Sequence, residues 1–261
     1  MLAQVRMPSL PATAWIGSEP LGPPELRGHV VLVNFWTLTC INWLRQEPYV
    51  RAWSEAYRGD GLIVIGVHTP EFTFEHDVEL VRRATAERAI GFPVAVDNDY
   101  AIWSAFANHF WPALYFVDAD GIVRDQHFGE GRYEQSERVI QTLLGVEREL
   151  VDVEGTGVEA AADWERLQTP ETYLGAWRGA PPDSSDGLRL NQWAGPIPFR
   201  VRLDGEAPRP SAGVDVDEAG AGVLEDGRMY QLVREPGAVR DRTLEIEFSE
   251  PGAEAYAFTF G

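Results

Sequence analysis

Cys40, the only cysteine of the chain, lies where an apolar run changes into a helical pattern. The stretch from Phe35 to Pro48 reads FWTLTCINWLRQEP. A thiol at the first turn of a helix lies beside unpaired backbone amides and the positive end of the helix dipole, which favour the nucleophilic thiolate. Two-thiol redox motifs have the spacing Cys-X-X-Cys, and Trp43 stands at the second cysteine position. The stretch therefore predicts either redox chemistry with one sulfur or a redox-type fold without it.

The missing second thiol limits the possible reactions. A dithiol enzyme releases its product when its second thiolate attacks the mixed disulfide, so Trp43 excludes a self-contained dithiol–disulfide cycle. One thiol can still form a mixed disulfide with a client protein or a low-molecular-weight thiol, or be oxidised to a sulfenic acid. A non-catalytic scaffold that binds a protein or a glycan is the second hypothesis. A one-cysteine peroxidase or peroxide sensor is the third, because Thr37 and Cys40 spell the T-x-x-C of peroxiredoxins.

Composition and charge exclude several classes of partner. The chain has 261 residues and a formal net charge of −19, and all its 22 basic side chains are arginine. So acidic a surface repels phosphate backbones and anionic lipids, and no apolar run reaches the ~18–20 residues of a membrane span. We expect no nucleic-acid partner, no membrane insertion, no metal and no cofactor. No signal peptide is recognisable at the N-terminus, so we expect a cytoplasmic protein.

The elements that must position Cys40 form an α/β domain over residues 1–148. A buried strand ends near Trp36 and a helix follows from Ile41 to Tyr57, with Leu44, Val50, Trp53 and Tyr57 on its apolar face. Further strand and helix patterns complete a βαβ unit followed by a ββα unit, and the Asp-Gly in ALYFVDADGIVRDQHFG marks a hairpin.

The second part of the chain has a different character. Residues 149–168 are acidic and rich in small residues, which is typical of a linker with some helix. From 169 to 261, short strand-like runs alternate with turn residues: FRVRLDG, GAGVLEDG, MYQLVRE, TLEIEFSE and AYAFTFG. This spacing predicts a small all-β module.

Several motifs together resemble DipZ/TlpA-type thioredoxin-like thiol–disulfide oxidoreductases, which typically read FWTxxCINC where this chain reads FWTLTCINW. Pro48 matches the proline of the active-site helix, and Pro112 in HFWPALYFVDADG matches the cis-proline of the family. VIGVHTPEF, AVDNDYAIWSAF and LEIEFSEPGAEAYAFTFG extend the resemblance over nearly the whole chain. The resemblance implies a thioredoxin-like domain followed by a shortened carbohydrate-binding-like β-sandwich of jelly-roll type. Relatives are often extracytoplasmic.

The resemblance also implies roles for individual residues. Cys40 would be the nucleophile, and Trp111 before Pro112 would offer free backbone groups to an extended client strand. Trp36, Trp43 and Trp111 could form an aromatic rim around the thiol. Asn34 stands where relatives often carry a buried carboxylate. Thiol-site neighbours are Trp36, Thr37, Thr39, Asn42 and Trp43; weaker candidates are His68, Glu71 and His109; Trp177, Trp193 and Tyr230 could stack on sugars, although packing is the favoured interpretation.

Overall fold

A mixed six-stranded sheet is the frame of the first of two units, Met1–Ala160 and Ala161–Gly261. The computed structural model describes residues 5–161, 171–173, 196–237 and 240–260. The strands of the first unit are β1 (Ala14–Ile16), β2 (Val30–Trp36), β3 (Leu62–His68), β4 (Val94–Val96), β5 (Ala113–Val117) and β6 (Val123–Phe128). Their order in the sheet is β1-β4-β3-β2-β5-β6.

The apolar sequence of β2 explains its central place. All its residues are buried, as expected for a strand covered on both faces. It pairs in parallel with β3, where Trp36 lies opposite His68, and antiparallel with β5, where Phe35 lies opposite Ala113. The carboxyl ends of β2 and β3 and the start of β5 therefore meet at one edge of the sheet. Cys40 follows β2 and Pro112 immediately precedes β5, so both residues lie at that edge.

The helices confirm the predicted βαβ and ββα organisation. They are α1 (Pro23–Leu26), α2 (Ile41–Tyr57), α3 (Val78–Glu87), α4 (Ala101–Ala105) and α5 (Tyr133–Leu144). α2 contains Pro48, and its predicted apolar-face residues Leu44, Val50, Trp53 and Tyr57 are all buried. Between β3 and α3, a 3-10 turn covers Thr73–His76.

The segment expected to begin a linker at residue 149 instead packs on the first unit up to Ala160. Arg45, which is buried, donates from Nε to the carbonyl of Ala160 at 3.2 Å, and Arg88 pairs with Glu159 at 3.1 Å. The amide of Val151 donates to a buried carboxylate of α5. These contacts bury polar residues of α2 that the apolar pattern alone would place in solvent.

The second unit is all-β in its described residues. β8 (Ile197–Leu203), β9 (Ala221–Leu224) and β10 (Leu244–Phe248) form an antiparallel sheet in the order β10-β8-β9, and β7 (Thr172–Tyr173) pairs with β11 (Ala257–Phe258). Alternate residues of β8 are buried, which is typical of a strand with one face on a core. The described residues of this unit form a three-stranded sheet and a two-stranded pair, which confirms the predicted all-β module.

Two sequence-based expectations for this unit concern the segment MYQLVRE and the aromatic side chains. The strand predicted at MYQLVRE is present only as a short irregular pairing: Val233 forms an isolated bridge with Ala212, and the amides of Gly213 and Arg234 donate to the carbonyls of Leu232 and Ser211 at 3.0 and 2.9 Å. The amide of Gln231 donates to the carboxylate of Asp215 at 2.7 Å. Tyr230 packs edge-on against Phe199. The guanidinium carbon of Arg228 lies 3.8 Å from the centre of the Tyr230 ring, so one face of that ring is covered. Trp177 and Trp193 lie outside the described residues.

Candidate functional site

Cys40 is the N-cap residue of α2, with an extended backbone at φ −72° and ψ 110°. Its carbonyl accepts the amide of Leu44 at 2.9 Å, and its own amide donates to the carbonyl of Thr37 at 3.4 Å. The residue is partly exposed. Strand β2 thus delivers the thiol to the end of α2 whose unpaired amides stabilise negative charge.

Trp43 fills the place of a second thiol with a buried indole. Its relative exposure is 1%, and its ring stacks on Trp36 with centroids 4.2 Å apart and planes 18° from parallel. The indole Nε1 donates to Asn34 Oδ1 at 3.2 Å. Asn34 in turn donates to Gln46 Oε1 at 2.9 Å, and Gln46 donates to the carbonyl of Gly129 at 3.2 Å. The tryptophan is therefore built into a hydrogen-bonded network across α2, β2 and the loop after β6.

This burial corrects the expected aromatic rim. Trp36 is fully buried and Trp43 nearly so, and both are core residues. The guanidinium carbon of Arg88 lies 5.6 Å from the centre of the Trp43 ring, which adds a cation–π contact on top of packing. Of the three tryptophans, Trp111 alone is partly exposed.

Trp111 and Pro112 occupy the same sheet edge as Cys40, and the peptide bond between them is cis, as the resemblance implied. The Trp111 indole donates to the carbonyl of Thr69 at 3.0 Å and packs on Trp103 with ring centroids 4.2 Å apart. The carbonyl of Pro112 accepts from Gly129. The Trp111 backbone N–H and C=O make no hydrogen bond to another described residue. A neighbouring extended chain would find both groups available.

A buried carboxylate that the sequence reasoning did not single out holds the turn before Cys40. Glu75 Oε1 accepts from the amide and the hydroxyl of Thr39 at 3.1 and 2.9 Å, and Oε2 accepts from the amides of Glu71 and Phe72 at 2.7 and 2.8 Å. Burial raises the pKa of Glu75, while these hydrogen bonds oppose the rise. The available signal was an acidic residue inside the aromatic run EFTFEH after a buried strand.

The weaker candidates take different places. His68 is fully buried with its ring edge on Trp36, and neither ring nitrogen has a hydrogen-bond partner in another described residue. Burial, followed by the nearby His76, lowers the pKa of His68 to about 3, so the ring is neutral near pH 7. Glu71 is buried and its amide also donates to Thr37 Oγ1 at 3.3 Å, which supports a turn role. His109 is exposed, and Asn42 is partly exposed on the first turn of α2.

Other possible sites are separate from the thiol. Among the described ranges no three His, Cys, Asp or Glu side chains cluster as metal ligands would. No helix in those ranges is long and apolar enough to cross a bilayer. A groove of about 960 Å³ lies beside α5, lined among others by Tyr49, Tyr133 and Val151, and it does not include Cys40.

A thiol at the start of the first long helix, after the central strand of a mixed sheet, and a cis-proline at the same edge of that sheet define a protein of the thioredoxin-like class. Residues 10–126 match the AhpC/TSA family, and residues 187–261 match the thioredoxin-like C-terminal domain family. Protein DipZ of Mycobacterium tuberculosis is 41% identical over 168 residues, which are 62% of this chain and 24% of DipZ.

Two further similar proteins are matched by this chain over most or all of their own length. Thiol-disulfide oxidoreductase YkuV of Bacillus subtilis is 31% identical over 131 residues, which are 50% of this chain and 88% of YkuV. The solution structure of a thioredoxin-like protein in its oxidised form superposes with a TM-score of 0.51 at 30% identity, covering 56% of this chain and all of that one. The chain belongs to the family of thioredoxin-like thiol–disulfide oxidoreductases. It spans about a quarter of the length of DipZ.

Proposed function

We propose that this protein is a monothiol thioredoxin-like redox protein in which Cys40 exchanges disulfides with a client protein or a low-molecular-weight thiol. The observation that carries the proposal is the pairing of a partly exposed Cys40 with a buried Trp43. The nucleophile keeps the helix start that favours a thiolate, and the residue that would release it within the same chain is replaced by a packed indole.

The reaction divides between this chain and an external thiol. The Cys40 thiolate attacks one sulfur of a client disulfide, so that a Cys40–client disulfide forms, the client S–S bond breaks and one client thiolate leaves. An external thiolate then attacks the Cys40 sulfur, which frees the second client thiolate. A second external thiolate releases Cys40. The client disulfide gains two electrons, and two external thiols are oxidised to a disulfide.

The edge beside Cys40 supports docking of an extended client segment. The unpaired backbone groups of Trp111 are suited to main-chain hydrogen bonds with such a segment. The net charge of −19 disfavours nucleic-acid and anionic-membrane partners. A client thiol or disulfide is therefore the partner class that this site suits.

The peroxidase alternative has one observation in its favour, the match to the AhpC/TSA family. The local geometry weighs against it. Thr37 is fully buried, and its Oγ1 accepts the amide of Glu71 at 3.3 Å. A hydroxyl engaged in this way has little capacity left to hold a peroxide. A scaffold without chemistry remains the other alternative, and it predicts an unreactive Cys40.

The test is alkylation of the native protein with iodoacetamide between pH 5 and pH 9, followed by mass spectrometry, with Cys40→Ser as the control. Reaction in the native state at pH 6, together with a Cys40 adduct from 2-hydroxyethyl disulfide that dithiothreitol removes, supports the proposal. Reaction only after denaturation refutes it and favours the scaffold. Hydrogen peroxide consumption that depends on dithiothreitol and on Cys40 would favour the peroxidase. Insulin reduction should stay near background.

A further inference from the structure

We propose that Glu75 is a positioning residue for Cys40: its buried carboxylate fixes the turn from Thr37 to Cys40 against the loop after β3. The inference rests on the proposed function, because it assigns a second residue to the same thiol site. Glu75 has no exposed surface, and its two oxygens accept hydrogen bonds from both sides of the site.

The bonding pattern fits an ionised carboxylate. The groups hydrogen-bonded to the oxygens are the amides of Thr39, Glu71 and Phe72 and the hydroxyl of Thr39. All of them are able to donate, and an ionised carboxylate accepts only. Such charge-assisted bonds are about twice as strong as neutral ones. Burial raises the pKa of Glu75 and the surrounding donors oppose that rise. Because the neighbouring groups donate to both oxygens, we infer that the carboxylate carries its negative charge in contact with the residue that precedes Cys40.

Two consequences for the thiol follow from this position. The bonds to Thr39 fix the backbone that leads into the N-cap, so they hold Cys40 at the helix start. The carboxylate charge also opposes the thiolate that the helix end favours, because like charges disfavour one another at short range. The ionisable group that interacts electrostatically with Glu75 is Tyr100, on which Glu71 and Asp97 also act. Tyr100 has its pKa raised to about 12, first by burial and then by these carboxylates, so it is neutral.

The experiment compares the pH profiles of Cys40 alkylation in the wild type, E75Q and E75D. In E75Q, an amide NH2 group replaces one carboxylate oxygen and faces hydrogen-bond donors, and the negative charge of residue 75 is lost. We expect the midpoint of the profile to fall by about 0.5–1 pH unit, which is about a three- to tenfold faster reaction below the midpoint. In E75D, the charge remains but the shorter side chain cannot reach both sides of the site. We expect a lower Tm and a midpoint that does not fall, because the charge is kept while the turn before Cys40 is held less firmly.

Asp97→Asn is the matched control. Asp97 is also buried, and it accepts from the amides of Ile102 and Trp103 at 2.9 and 2.8 Å, but it follows β4, which lies two strands from β2. This variant should lose stability without a shift of the alkylation profile, as any merely structural carboxylate would.

The outcomes separate the two proposals. A folded E75Q with an unmoved or upward-shifted midpoint overturns the role of Glu75 and leaves the redox proposal intact. If E75Q does not fold, E75D decides, since a wild-type Tm or a profile shifted downward would overturn the role. A wild-type Cys40 that is unreactive in the native state overturns both proposals.

Discussion

Replacing Trp43 with cysteine tests whether the indole is what separates this protein from dithiol oxidoreductases. Cys40 is the N-cap of α2 and Trp43 lies in the first turn, so the two side chains lie on neighbouring positions of one helix end. Truncating a buried tryptophan costs about 3–5 kcal/mol of unfolding free energy. The variant also removes the indole N–H that donates to Asn34 Oδ1, and the loss of this hydrogen bond is part of that cost. We therefore expect W43C to lose about 3–4 kcal/mol and to gain insulin reductase activity.

The assays are urea unfolding followed by circular dichroism at 222 nm and the turbidity of insulin reduced by dithiothreitol. Trp53→Cys is the matched control, because Trp53 is also fully buried in α2 and its indole donates to Glu137 at 3.0 Å. W53C should be destabilised to a similar degree and should also carry two thiols. It should stay at background in the insulin assay, because residue 53 lies turns away from the helix start.

The result that would refute this reasoning is a folded W43C that reduces insulin no faster than W53C or the wild type. Trp43 would then not be the element that blocks dithiol cycling, and another feature of the thiol site would have to account for it. Since typical domains unfold with about 5–15 kcal/mol, a loss of this size still permits assay of the folded variant at low temperature.

Two further predictions concern stability. Because His68 is buried neutral with its pKa lowered to about 3 from 6.5, the unfolded chain takes up its proton first as the pH falls, and stability is lost between about pH 6.5 and pH 3. The free energy of unfolding, measured with urea, should fall by about 2 kcal/mol at pH 5. His68→Leu should remove this part of the pH dependence. If the free energy of unfolding of the variant still falls with pH as in the wild type, the ring of His68 is not buried neutral. Glu137→Ala should cost about 2–4 kcal/mol, because it leaves Trp53, Tyr57 and the amide of Val151 without their acceptor. Amide exchange at Val151 should accelerate as well, and exchange at the wild-type rate would show that Glu137 does not hold that segment.

The sequence sufficed for the elements that follow from local patterns. The buried run before Trp36, the helix that starts after Cys40 and the Asp-Gly hairpin of β5 and β6 are each set by neighbouring residues, and the structure contains all three. The burial of Glu75 was not predictable in this way, because its partner Thr39 lies 36 residues earlier. The packing of residues 149–160 on α2 was missed for the same reason: Ala160 meets Arg45 across 115 residues.

The prediction of an aromatic rim around Cys40 was wrong for a related physical reason. A tryptophan next to a reactive position has no local signal that separates a surface role from a core role, since both use the same apolar ring. The deciding contacts are the stack on Trp36 and the hydrogen bond to Asn34, and both need the helix and the strand in place. Asn34 was recognisable as a departure from the carboxylate of relatives, yet its role as an acceptor for Trp43 required the fold.

In the proposed mechanism, the indole at position 43 leaves the release of Cys40 to another molecule, while the strand and helix that hold Cys40 are those of a dithiol enzyme. A resolving thiol within the same chain acts at an effective concentration of the order of millimolar or more, whereas an external thiol acts at its actual concentration. If Cys40 works as proposed, the lifetime of its mixed disulfide must vary inversely with the concentration of added thiol. In W43C the lifetime should become independent of added thiol, because the release step is again internal. Stopped-flow release of a client peptide at several dithiothreitol concentrations measures this directly, and a wild-type rate that does not change with dithiothreitol would show that release does not need an external thiol.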